Sequence, residues 1–381
     1  MRTIPLILFV VSIAVSSPAN AQTDGEPVSL GTYRVIHSVI LDEDRPLQVY
    51  LPRGYDESTV GYPVVYLLYS DLVELYYARA IHDLALLSID RIPPVILVGV
   101  ANTQRYRDLL PWARPGGRGG QADQFLEFVA HELIPFVESE YRTKEYRILI
   151  GPQAAAVFGA YALLESPATF DALILNNPCT IDTEERALCP RIAPLAQTIE
   201  GRKYLSVTTN ETDLSPSRHA LEQLEQTLER VENRNFHWRI EIDDATGVFI
   251  PPMGLAPALM DLFDSYPFPP DHTVSGLVDI QAHYDGLSKL YGFTVDPPDF
   301  VLARASDQLS DAGSYEAALE VLLHLNGLYP ASMNGLWRLA NLYRQLADTA
   351  QAVTYYEACL SRDPNMAPAR EWLERLTGEK Q

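Results

Sequence analysis

Pro63-Val64-Val65-Tyr66-Leu67-Leu68 is an unbroken apolar run of strand length. An unbroken run, unlike an alternating one, is what a strand covered on both faces requires. The same texture returns in Val95-Ile96-Leu97-Val98-Gly99-Val100, in Arg147-Ile148-Leu149-Ile150 and in Leu173-Ile174-Leu175. Tyr204-Leu205-Ser206-Val207 and the alternating His237-Trp238-Arg239-Ile240-Glu241-Ile242 extend the series, and Tyr33 to Leu41 with Pro46 to Tyr50 read as an opening antiparallel pair. Amphipathic helical patterns lie between the runs, among them Ala122 to Tyr141 and Ser217 to Glu232. Strands alternating with helices predict an α/β fold, a mostly parallel sheet with helices on both faces.

The texture changes after Tyr266. A proline cluster at Pro267, Pro269 and Pro270 punctuates the chain, and no strand pattern returns from Val274 onward. Gly313-Ser314-Tyr315-Glu316-Ala317-Ala318 recurs in pattern as Ala347-Asp348-Thr349-Ala350-Gln351-Ala352, and Tyr329-Pro330 recurs as Asp363-Pro364. Ala318 to Ala352 and Pro330 to Pro364 share one offset, thirty-four residues, the tetratricopeptide period. The small residues let paired helices approach, and each proline closes a second helix. The sequence therefore divides into an α/β body at 33–266 and an all-α, tetratricopeptide-like region at 274–376. In that region the first helices, about Asp299 to Ala312 and Met333 to Leu346, are expected to present Arg304, Gln308, Asn334, Arg338 and Asn341 to a partner protein. Leu302, Leu309, Leu336, Leu339 and Leu342 are expected to pack inside.

The amino terminus reads as an export signal at 1–21. Arg2 precedes an apolar stretch from Ile4 to Val15, and Ala19-Asn20-Ala21 forms a small-x-small cleavage site. The stretch falls short of the ~20 residues of a spanning helix, so a periplasmic or secreted protein without a membrane span is expected. The apolar fraction of 47% suffices for a large core. A net charge of -21, from 50 acidic and 29 basic residues, argues against nucleic acid, whose phosphates need a basic surface. Cys179 and Cys189 lie close together in a loop-like stretch, and an oxidising compartment would permit them to pair, leaving Cys359 as a small buried residue. No Cys/His spacing resembles a zinc site, and no cofactor motif stands out.

Several segments in order carry a resemblance: Leu47-Gln48-Val49-Tyr50-Leu51-Pro52, Tyr62 to Leu68, Gly99 to Asp108, Phe125 to Tyr141 and Arg142 to Gly151. Together they resemble the putative-esterase family of α/β-hydrolases, which includes enterochelin-esterase-like and S-formylglutathione-hydrolase-like enzymes. The resemblance implies a serine on a sharp strand-to-helix turn, a histidine after the last strand and a carboxylate to orient it. Aligned on that pattern, the turn reads Gly151-Pro152-Gln153-Ala154-Ala155-Ala156, with Gln153 in the serine's place. The base loop reads Asp243-Asp244-Ala245-Thr246-Gly247-Val248, with Thr246 in the histidine's place, and the carboxylate position offers Glu211 or Asp213. Tyr69-Ser70 stands where relatives carry Asp-Gly on the oxyanion side.

A carboxamide does not attack a carbonyl carbon, and threonine has no acceptor titrating near neutral pH. Two separate losses agree, so the resemblance implies a pseudoesterase that binds rather than cleaves. The alternative is an active carboxylic-ester hydrolase with another nucleophile. Tyr69, Ser70, Tyr76, Tyr77 and Trp112 are candidates to line the remaining cleft for a small ligand or simply to pack. Arg107 and Asp108 are expected to brace the polar loop that also holds Asn102 and Arg105. His237 and His272 read as ordinary residues rather than relocated bases.

Overall fold

The computed structural model describes residues 31–68, 81, 91–101, 104–114, 117–179, 188–210, 216–243, 252–269 and 272–378. Strands β1 (Thr32–Ser38) and β2 (Glu43–Tyr50) form the opening antiparallel pair, followed by β3 (Tyr62–Leu67) and β4 (Ile96–Val100). Helix α1 (Arg105–Leu109) leads into a small hairpin of β5 (Ala113–Arg114) and β6 (Arg118–Gly119). The long helical pattern from Ala122 is realised as α2 (Ala122–Phe128), a π-helical segment at Val129–Leu133, and α3 (Ile134–Glu140). Then β7 (Thr143–Pro152), α4 (Ala154–Glu165), β8 (Ala172–Asn176), α5 (Cys189–Thr198), β9 (Lys203–Asn210), α6 (Pro216–Leu228), β10 (Phe236–Asp243) and α7 (Pro252–Leu262) alternate.

The main sheet runs in the order β1-β2-β4-β3-β7-β8-β9-β10. From β4 to β10 every pairing is parallel, whereas β1 with β2 and β2 with β4 are antiparallel. The six residues of β3 are all buried, as are the five of β4, which is why these runs read as unbroken apolar sequence. Alternate strand residues serve two cores. Val64, Tyr66, Val98, Leu149 and Leu173 face α2 to α6, and Val65, Leu67, Leu97, Ile148 and Ile150 face α7 and the helices that follow it.

Those following helices are α8 (Leu277–Tyr291), α9 (Asp299–Asp311), α10 (Tyr315–Leu328), α11 (Met333–Gln345), α12 (Thr349–Arg362) and α13 (Ala367–Thr377). Helix α8 buries Leu277, Ile280, Tyr284, Leu287 and Tyr291. The last of these closes an aromatic cluster with Tyr146 of β7, Phe263 and Phe293. The core of the sheet's second face thus continues without a break into α8, α9 and α10. Polar contacts reinforce the junction: Thr59 N–H donates to Leu328 O (2.9 Å), Ala331 N–H to Glu57 O (3.3 Å), and Lys144 pairs with Asp296 (2.8 Å).

The repeat geometry follows from its landmarks. Ala318 and Ala352 are fully buried where α10 and α12 meet their partner helices, and Leu302, Leu309, Leu336, Leu339 and Leu342 are buried as expected. Asp348 caps α12 by accepting from Gln351 N–H (3.1 Å). Two helix pairs are fewer than the ~3 repeats usually needed for an independent stack. The face of the sheet, through α8, supplies the missing neighbour.

Candidate functional site

A single residue, Gln153, turns β7 into α4, with φ 53° and ψ −118°. Side chains other than glycine rarely adopt such a conformation, which costs about 1–3 kcal/mol and persists only where neighbours over-determine it. They do so here. The Gln153 N–H donates to Asn176 O on β8 (3.0 Å), and its carbonyl accepts from Ala156 N–H (2.9 Å) and Val157 N–H (3.2 Å). Ala155, Ala156 and Val157 are buried in the core, so the first turn of α4 lies tight against the strand it has just left. The sharp turn that lifts a nucleophile above the sheet is present, with a carboxamide at its apex.

The bordering strand ends carry neutral groups. Pro152, Asn176 and Thr208 stand in one register row. Asn177, itself at φ 58°, donates its N–H to Thr208 O (2.9 Å) and accepts from the Thr209 hydroxyl (2.5 Å). Amides and hydroxyls of this kind bind polar ligands but do not exchange protons near neutral pH. The other positions named from the sequence, Thr246, Glu211, Asp213, Tyr69 and Ser70, lie outside the described residues, as do Asn102, Tyr76 and Tyr77. Trp112 is half-buried and packs against the core that holds α4.

The seven histidines of the described residues lie elsewhere, His324 among them on α10. His37 pairs with Asp44, and His131 with Glu127. His219 meets Gln223, while His272 and His283 pack edge-on against Phe268. His237, near the start of β10, lies four residues before Glu241, which shares the register row of Pro152, hence ~13 Å short of the elbow row at strand rise and three strands across from it.

Arg107 and Asp108 do brace their loop, within a larger network than the sequence suggested. Asp108 is 1% exposed and takes Arg107 Nε (2.7 Å) and Arg45 Nη1 (2.8 Å) on its two oxygens. Arg107 also reaches Glu43 (2.6 Å), and Glu43 pairs with Arg45. Arg45 is fully buried, its guanidinium over the Phe125 ring. Two cations and two anions from β2 and α1 thus offset one another in one partly buried network.

Cys179 and Cys189 are joined by a disulfide, and Cys359 is free and buried. The bridge ties the segment after β8 to the start of α5, on the elbow side of the sheet. Burial pushes the Cys359 thiol up to about 11, so it stays protonated and unreactive at neutral pH. Peptide mass spectrometry of the non-reduced protein should return the 179–189 pair linked, with Cys359 alkylated only after unfolding. Reducing the bridge should lower stability by at most ~3 kcal/mol, the chain-entropy value for a short loop. Free thiols at both positions would refute the pairing.

The sequence model of the family described as Putative esterase matches residues 38–245, more than half of the chain. The chain belongs to this esterase family. A tetratricopeptide repeat model matches residues 334–366. Among solved structures, an IroE-like serine hydrolase from Shewanella oneidensis is similar with a TM-score of 0.64 at 23% identity, covering 79% of this chain and 99% of that one. An uncharacterised protein from Capnocytophaga ochracea aligns over 91% of this chain and 99% of its own, with a TM-score of 0.58 at 16% identity. At these identities the likeness is one of fold. The uncharacterised protein YbbA of Bacillus subtilis is 24% identical over 141 residues, 33% of this chain. The chain spans only about half the length of the curated relatives it matches, 54% of YbbA and 57% of YjcH.

In this esterase-family chain the tail's polar face is largely engaged with itself. Arg338 holds Asp307 through two bonds (2.9 and 2.8 Å), and Asp299 receives Ser332 (3.0 Å) and Asn334 (3.1 Å). These contacts staple α9 to α11. Asn341 is half-buried, not freely presented: it donates to Trp337 O (2.8 Å) and accepts from the Tyr356 hydroxyl (3.0 Å). The sequence expectation of Asn341 as a presented contact residue is corrected accordingly, because Tyr356 comes from the facing helix at a separation no local pattern reveals. Gln308 and Asn334 remain exposed.

Proposed function

We propose that this chain is an exported, non-catalytic member of the esterase family that works by binding. The observation that carries the reading is Gln153 at the apex of an intact elbow. The strained turn is built, at its usual cost, around a group that cannot form an acyl intermediate. The half-buried Asn177 amide beside it, held by the buried Thr209 hydroxyl, suits hydrogen bonding to a polar ligand. The tetratricopeptide match supports a protein partner for the tail, with Gln308 and Asn334 as exposed polar positions, the latter also bonded to Asp299. Export rests on the sequence of residues 1–21 alone. Gln153 in the nucleophile's place is the feature on which this reading parts from a serine hydrolase.

The test is turnover of short-chain nitrophenyl esters by the purified protein. Rates equal to those of an inert control are expected, where an active esterase accelerates hydrolysis by at least ~10⁶-fold. Replacing Gln153→Ser and Thr246→His together should restore little activity, because Tyr69 and Ser70 still alter the donor side. Wild-type turnover that survives stringent purification and is abolished by a fluorophosphonate would overturn the proposal.

A further inference from the structure

A cavity of about 1000 Å³ opens at the other end of the sheet from Gln153, where β7, β9 and β10 begin and α8 ends. Its walls include Tyr146 and Tyr291, which meet edge to face. Tyr146 stands six residues before Pro152, hence ~20 Å from the elbow along the strand. The cavity is therefore separate from the esterase cleft, and it lies on the seam between the α/β body and the helical tail.

Four cations line it: Arg202, Lys203, Arg234 and Lys289. Lys203 is already satisfied by Phe170 O (2.7 Å) and Asp171 (3.2 Å). Arg202, Arg234 and Lys289 have no ion-pair partner among the described residues, although exposed Glu145 and Glu200 share the rim. Arg202 is the distinctive member. Its guanidinium lies 5.3 Å from the centre of the Tyr291 ring, and its Nε is buried without a hydrogen-bond partner. A buried, unpaired guanidinium donor is costly unless an acceptor completes it. Half-buried Arg202 and exposed Arg234 and Lys289 thus line one cavity, from the body and from α8, in a chain of net charge -21.

We propose that this seam cavity binds a small oxyanion ligand, carrying carboxylate or phosphate groups, gripped by Arg202 and Arg234 from the body and Lys289 from α8. Such a ligand ties the two parts of the chain together and stabilises the folded protein by mass action. His237, on the same wall, is held below its ordinary value by burial and by Arg202, with Asp264 and Asp261 opposing. A bound anion offsets Arg202 and raises the His237 value.

The experiment titrates the full mature protein with inorganic phosphate and, separately, with citrate, at ionic strength matched by chloride. Melting temperature, isothermal calorimetry and the His237 ring resonances are followed together. A saturable rise in melting temperature with an upward His237 titration is expected from at least one anion. Response to phosphate alone assigns a single oxyanion, and response to citrate a polycarboxylate. Arg202→Gln with Lys289→Gln should weaken binding by about tenfold or more, and the rim variant Arg234→Gln, less exposed to folding defects, by a smaller factor. No response to either anion beyond chloride would mean that water completes Arg202, and the proposal fails. It fails equally if binding persists undiminished in correctly folded variants.

Discussion

A chain ending at Pro269 is expected not to fold. The helical tail looks like an appendage in sequence, yet α8 buries five apolar side chains, from Leu277 to Tyr291, against the second face of the sheet. Each is worth about 1.5–3 kcal/mol when fully buried. Their loss removes roughly 8–15 kcal/mol, an upper estimate because unfolded chains are partly compact, against a typical net stability of about 5–15 kcal/mol. It also exposes Tyr146, Phe263 and Tyr266. Expression should give aggregate, or a soluble fraction without a cooperative melt. A chain ending at Ser332 is the informative contrast: it keeps α8 to α10 and loses chiefly the separate cluster of Leu336, Ala340, Ala352, Tyr356, Cys359 and Ala369. That shorter lesion should leave a folded body. A cooperative, monomeric chain ending at Pro269, melting within a few degrees of the whole protein, would show that the seam contributes little.

Gly151→Val should be the most damaging single substitution at the elbow. A Cβ at this position would meet Ala155 O at 2.5 Å, Ala155 C at 2.7 Å and Ala156 N at 3.0 Å. All three are backbone atoms of the first turn of α4, and no rotamer relieves the clash. The helix cannot retreat, because Ala155 to Ala160 are buried on its far side as well. Overpacking of this kind costs about 3 kcal/mol or more, a fall in melting temperature of about 6–12 °C for a body of this size. Gly286→Ala is the control. Gly286 lies inside α8 with nothing within 4 Å of a Cβ, so alanine should be neutral or stabilise by up to ~1 kcal/mol. Equal melting shifts for the two variants would contradict the close strand-to-helix packing on which the elbow rests.

The sheet was legible because parallel strands buried on both faces leave unbroken apolar runs, and β3 and β4 carry no polar interruption. The repeat was legible because its period survives in alanines and prolines that pack or terminate helices. What the sequence hid is non-local. Arg45 reads as an ordinary charge in a polar hairpin, and only the fold sets it beside Asp108, sixty-three positions on. Helix α8 mixes apolar and polar residues, and its sequence alone does not name the sheet as the surface it covers. Asn341 carries no mark of its bond to Tyr356. The π-helical segment at Val129–Leu133 interrupts a helix that periodicity reads as continuous. The elbow was the opposite case: Gly151 and the small residues after Gln153 announce a tight turn, and φ 53° at Gln153 is its geometric counterpart.

The central claim is that the elbow is intact and chemically empty, and one measurement addresses it directly. The wild-type protein is incubated with an excess of a fluorophosphonate, beside its Gln153→Ser variant and an active serine esterase, and intact masses are recorded. The account predicts that the active esterase gains one stoichiometric adduct while the wild-type mass stays unchanged. A stoichiometric adduct on the wild-type chain, mapped to any serine and blocking ester turnover, would contradict it.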